Sequence, residues 1–122
     1  AVDPYAAASA VMQRVGARIG PDAELGLLAW REQNLLQADR PVREFGFKRA
    51  WDLQWHDAGH WLEAAPRRRW LLVLDTAMSP CVDPSGVIDI GMANGNRWLL
   101  VPGTAWSGPC RATTAGASHD EG

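Results

Sequence analysis

The chain contains two stretches in which apolar residues recur at helical spacing. Asp3-Pro4 is a helix N-cap followed by proline at the first helical position. Val11, Val15 and Ile19 then fall on one helix face, and Gly20-Pro21 ends this helix. A second apolar stripe predicts a helix of about three turns and consists of Trp51, Trp55, Ala58, Leu62 and Ala65.

Shorter apolar segments predict strands. Trp70 to Asp75 lacks alternating polar residues, which predicts a strand buried on both faces and therefore a sheet covered by helices. Asn94-Gly95 predicts a hairpin turn, and Asn34 to Ala38 a short helical turn. The other strand candidates are Glu24 to Trp30, Val42 to Phe47, Val87 to Gly91 and Arg97 to Val101.

Together these elements predict an α/β domain. We expect one mixed sheet of about five strands, about three helices and a C-terminal antiparallel hairpin, all within residues 1–110. Residues 111–122 are small and polar and are expected to form a flexible tail.

Composition narrows the class of protein. The 122 residues carry a net charge of −2 and are 47% hydrophobic, as in a globular domain without the basic surface that nucleic acid binding needs. No apolar run approaches the roughly 20 residues that span a membrane. The chain begins Ala1-Val2-Asp3, without Met, so we expect either a processed product or a piece of a longer protein, and the small, polar C-terminal residues favour the piece.

The two cysteines, Cys81 and Cys110, each lie beside a proline in a loop-like segment. They form no Cys-x-x-Cys motif, so neither a zinc-ribbon nor a thioredoxin-type site is predicted. We expect a disulfide that ties the C-terminal segment to the body in an oxidising compartment, with two free thiols as the alternative.

Two histidines have the spacing of a metal site. His56 and His60 lie one turn apart on the same helix face, as in helical zinc motifs. Asp57 stands where the zinc-protease motif has glutamate. The third ligand would have to be Glu63 or a residue distant in sequence, and the sequence favours neither clearly. The alternative is a solvated polar face opposite the tryptophans.

Seven tryptophans are many for a chain of this length, and core packing accounts for most of them. Trp61 and Trp106 have no obvious place in the predicted core. They are candidates for a glycan-binding surface or for an interface with other parts of a larger protein.

The run from Glu24 to Phe47 joins two apolar segments through a leucine-rich turn that ends in Arg40-Pro41. It resembles the soluble C-terminal portion of bacterial polyprenyl-phosphate-dependent membrane glycosyltransferases, the aminoarabinose-transferase and protein-mannosyltransferase-like enzymes. The similarity extends over roughly Gly20 to Pro102 through three further features: a helix ending in Trp61-Leu62, the strand Trp70 to Leu74, and the final segment Gly91 to Val101. The first helix and the cysteine pair have no counterpart in it.

The resemblance implies a domain on the periplasmic side of the bacterial inner membrane, in an enzyme that transfers a sugar from a polyprenyl-phosphate donor. The implied partners are the transmembrane catalytic part of the same polypeptide and the lipid-linked sugar or glycan acceptor, and no cofactor is implied. The family's catalytic acidic residue lies in the membrane part, so no catalytic residue is carried over. The alternatives are a stand-alone glycan-binding module that uses Trp61 and Trp106, and a small zinc-dependent enzyme that uses His56 and His60.

Overall fold

The computed structural model describes residues 3–29, 38–46 and 48–110. Within these residues the chain forms two α-helices and one five-stranded sheet. Their bounds are α1 (Pro4–Ile19), β1 (Glu24–Leu28), β2 (Val42–Glu44), α2 (Trp51–Ala64), β3 (Arg69–Leu74), β4 (Ile88–Ala93) and β5 (Asn96–Pro102). Three short 3₁₀ turns lie at 75–77, 84–86 and 103–105.

The sheet is mixed, with the strand order β2-β1-β3-β5-β4. β1 pairs in parallel with β2 and β3, whereas β5 pairs antiparallel with β3 and β4. Asn94 and Gly95 connect β4 to β5 with φ of 54° and 79°, the left-handed conformation that tight hairpin turns need. The predicted α/β class, the mixed sheet and the C-terminal antiparallel hairpin are therefore confirmed.

β3 is the middle strand of the sheet, as its composition predicts. Leu71, Leu72 and Val73 are 0% exposed, so neither face of the strand reaches solvent. The strand begins one residue earlier than predicted and ends at Leu74. Asp75 starts the following 3₁₀ turn, where its side chain is exposed.

α1 covers the sheet near β4. The side chain of Asp3 accepts a hydrogen bond from the first turn of the helix, as an N-cap does. Val11 and Val15 are fully buried, and Arg14 Nε donates to a β4 carbonyl oxygen at 2.9 Å. The apolar face read from the sequence is the face that packs on the sheet.

α2 packs against β1 and β3 through Trp55, Ala58 and Leu62. Its start is fixed by Gln54, which is 1% exposed. The Gln54 amide accepts a hydrogen bond from the N–H of Ala29 and donates to a carbonyl oxygen at the preceding loop. A buried amide with both ends paired costs little and holds the helix in register with the end of β1.

Some predicted bounds differ from the structure. β1 ends at Leu28 because Ala29 has a φ of 55° and cannot continue the strand. Trp30, Phe47, the tail 111–122 and most of the predicted turn Asn34 to Ala38 lie outside the described residues. In the described part of the chain, no helix is long and apolar enough to cross a membrane.

Candidate functional site

Trp61 lies over β1 at Gly26. A Cβ atom added at Gly26 would lie 3.0 Å from both the Phe45 ring and the Trp61 ring. Only glycine therefore leaves room for two aromatic side chains to rest on the strand. In this position Trp61 is half-buried.

Two arginines and two aromatic rings form a row across β2, β1 and β3, here called the arginine–aromatic row. The Arg43 guanidinium lies 5.2 Å from the Phe45 ring centre. The Phe45 and Trp61 ring centres are 5.7 Å apart in an edge-to-face arrangement. Arg69 lies 4.8 Å from the Trp61 ring centre and donates to the Trp61 carbonyl oxygen. These contacts fix both rings by cation–π and aromatic attraction.

A groove of about 440 Å³ opens beside this row, at the ends where β1 and β2 begin. Its volume is within the range of small-molecule sites. It lies at the opposite end from the carboxyl ends of the parallel strands, where open α/β sheets usually bind ligands. The lining residues are Pro21, Ala23, Glu24, Leu25, Arg40, Pro41, Val42, Arg43 and Trp61.

The charged side chains around the groove differ in the hydrogen bonds and ion pairs that they form. Arg40 donates to the carbonyl oxygens of residues 20 and 23 and pairs with Asp39, so it holds the loop together. Its hydrogen bond also lowers the pKa of the Asp39 carboxyl. Glu24 is shared by Arg69 and a second arginine. Arg43 forms no salt bridge with a carboxylate of the described residues, so its charge is open to an anion.

His56 and His60 lie on the outer face of α2. Each side chain is 70% exposed, and the ring centres are 4.9 Å apart with their planes at 72°. Among the described residues, no set of three or more His, Cys, Asp or Glu side chains is arranged to hold a metal ion. The structure therefore brings the two predicted histidines together without a third protein ligand in that part of the chain.

Each histidine has a carboxylate on its Nδ1 side. Asp57 Oδ1 lies 3.2 Å from His56 Nδ1, and Glu63 Oε1 lies 3.9 Å from His60 Nδ1. Arg49 holds Asp57 by an ion pair of 2.7 Å. This hydrogen bond from Arg49, with a smaller contribution from His56, lowers the pKa of the Asp57 carboxyl.

The side chain of Trp106 packs against α2 and contacts Trp55 and Glu63. Its ring stacks on the buried Trp55 with centres 5.6 Å apart and planes at 5°. Trp106 Nε1 donates to Glu63 Oε2 at 3.0 Å, and the ring lies directly over Gly59. The second predicted surface tryptophan is thus half-buried against the helix and orients a carboxylate beside His60.

The expected disulfide between Cys81 and Cys110 is present. The disulfide fixes the segment that carries Trp106. A hydrogen bond from the N–H of Ser107 to the Cys81 carbonyl oxygen holds the same segment. The two candidate tryptophans have different surroundings: Trp61 lines the groove, whereas Trp106 packs against α2 beside Trp55 and Glu63. Arg43 is not among the candidates that the sequence predicts, whereas Glu63 is the nearby candidate for a third ligand beside His56 and His60. Arg43 stands two residues before Phe45, a strand spacing that could have indicated their contact.

Comparison of the chain with family models, curated proteins and solved structures finds no match. The fold defines an α/β domain with a mixed five-stranded sheet, closed by a disulfide.

Proposed function

We propose that this chain is a non-catalytic domain of a bacterial membrane glycosyltransferase that transfers a sugar from a polyprenyl-phosphate donor. The supporting observation is the order of elements on which the resemblance rests. β1, the Arg40-Pro41 loop, β2, α2 with Trp61-Leu62 in its last turn, β3 and the final hairpin follow one another in that order. On this proposal the domain packs against the catalytic part of the same polypeptide and helps to shape its periplasmic face.

The disulfide is a second, independent support. Disulfides persist in oxidising compartments, of which the bacterial periplasm is one. A bond between Cys81 and Cys110 therefore agrees with a domain on the periplasmic side of the inner membrane.

The coding sequence upstream of Ala1 tests this proposal directly. We expect it to encode many apolar segments of about 20 residues each, as a bundle of membrane spans requires. A start codon or a secretory signal peptide immediately before Ala1 would overturn the proposal. As a second arm, the isolated chain is expected to turn over no polyprenyl-phosphate-linked sugar, and measurable turnover by it would contradict its non-catalytic role.

A glycan-binding module is a second candidate, favoured by one observation. The half-buried Trp61 lines an open groove next to Arg43, whose charge is not balanced by a described carboxylate. Apolar ring faces and guanidinium groups are suited to stacking against and hydrogen bonding with sugars. Titration of the isolated chain with oligosaccharides, followed by indole fluorescence, separates this candidate from a domain that only packs against protein.

A further inference from the structure

We propose that His56 and His60 form a two-imidazole site for a divalent transition-metal ion on the outer face of α2. The ligand class is a borderline ion such as Cu²⁺ or Zn²⁺, because imidazole nitrogen suits these ions and not Mg²⁺ or Ca²⁺. Water molecules complete the coordination. This site is independent of the proposed transferase role.

The separation of the two rings is the first argument. A metal–nitrogen distance of about 2.0–2.1 Å places the ion roughly 3.2 Å from each imidazole centre. Two rings bound to one ion at angles between about 90° and about 109° therefore have centres roughly 4.5–5.2 Å apart. The observed 4.9 Å lies within this interval.

The contacts of the ring nitrogens are the second argument. The Nδ1 atoms face Asp57 and Glu63, whereas no described residue forms a hydrogen bond with either Nε2 atom. In the tautomer that carries its proton on Nδ1, Nε2 has a free lone pair, and each side chain is 70% exposed. Histidines that bind metals characteristically direct their other ring nitrogen at a carboxylate, which fixes the tautomer and the ring orientation.

The carboxylates are themselves held. Arg49 pairs with Asp57, and the indole N–H of Trp106 donates to Glu63. These outer contacts restrict the carboxylates that orient the rings, so less side-chain entropy is lost when an ion binds. The helix backbone also fixes His56 and His60 one turn apart, so their separation does not have to be set when the ion binds.

Titration of the protein with Cu²⁺, followed by calorimetry and by electron paramagnetic resonance, tests the proposal. We expect one ion per chain with coupling to two imidazole nitrogens. His56→Ala and His60→Ala should each weaken binding at least tenfold. Both side chains are largely exposed and alanine favours helix, so neither variant should unfold. Asp57→Asn should weaken binding about tenfold, as loss of an orienting carboxylate does.

The third histidine of the chain, His119, provides the matched control. His119→Ala should leave the affinity for Cu²⁺ unchanged. Binding that survives in the double variant of His56 and His60, or that is lost in His119→Ala, would overturn the site. Equal binding of Mg²⁺ would also contradict it, because magnesium has no preference for imidazole.

Discussion

At the scale of single residues, two glycines determine where the surface tryptophans lie. Gly26 leaves room on β1 for Trp61, and Gly59 leaves room on α2 for Trp106. Each glycine faces aromatic ring atoms, which cannot rotate away as the end of a flexible side chain can. The positions of both tryptophans therefore depend on the absence of a side chain at Gly26 and at Gly59.

Gly59→Ala is expected to destabilise the protein by about 1–2 kcal/mol. Alanine in a helix interior normally gains about 1 kcal/mol over glycine. Here the new Cβ atom would overlap the six-membered ring of Trp106, which is held by its stack on Trp55. Displacing that ring costs more than the helix gains. Urea unfolding of both proteins, followed by circular dichroism, measures the difference.

The control for this prediction is the same substitution in a Trp106→Ala background. With the indole removed the overlap disappears, and Gly59→Ala should then stabilise the protein by about 1 kcal/mol. A substitution that destabilises both backgrounds equally would show that Trp106 is not the cause.

At the scale of elements, the spacing of apolar residues predicts most of the structure. Val11 and Val15 identify the buried face of α1, and the apolar run at Leu71 to Leu74 identifies the central strand. Strand ends are less predictable. β1 stops at Ala29, which has a positive φ, and alanine is not a residue type that predicts this conformation. The candidate site is harder still. His56 and His60 are recognisable from their spacing, and Glu63 from its place three residues after His60. The hydrogen bond from Trp106 to Glu63 joins residues 43 positions apart, which spacing along the chain does not predict.

The Arg49–Asp57 ion pair at the start of α2 should make a small, pH-dependent contribution to stability. Both side chains are more than one-third exposed, so solvent screening limits the contribution to about 1 kcal/mol or less. The pKa of Asp57 is lower in the folded protein than its usual value. The contribution is therefore present above the unfolded-state pKa and is lost as the pH falls through the folded-state pKa.

Asp57→Asn measures this contribution. The variant should be slightly less stable than the parent at about pH 7, and the difference should shrink towards zero as the pH falls through the lowered folded-state pKa of Asp57. Urea unfolding of both proteins across this range gives the two curves. Asp22→Asn removes the same charge from an exposed turn and serves as the control. A difference that grows on acidification would contradict the assigned ion pair.

At the scale of the whole molecule, the Cys81–Cys110 disulfide encloses β4 and β5 within one covalent loop. The two cysteines are separated by 29 residues, and the enclosed hairpin provides one edge of the sheet. The same bond holds the segment that places Trp106 on α2. It thus links the hairpin at the sheet edge to the segment that packs against α2, a helix that is distant from both in sequence.

Removing this disulfide should lower the free energy of unfolding by about 3–4 kcal/mol if loop-closure entropy dominates. The effect acts through the unfolded chain, so the sheet should stay folded while the Trp106 segment loosens. Denaturant unfolding of the oxidised and reduced protein measures the loss, and fluorescence reports on the stacked indoles of Trp55 and Trp106. A Cys81→Ala/Cys110→Ala variant should match the reduced protein and should not respond to reductant. If reduction left the unfolding midpoint unchanged, the bond would be a local link without effect on global stability.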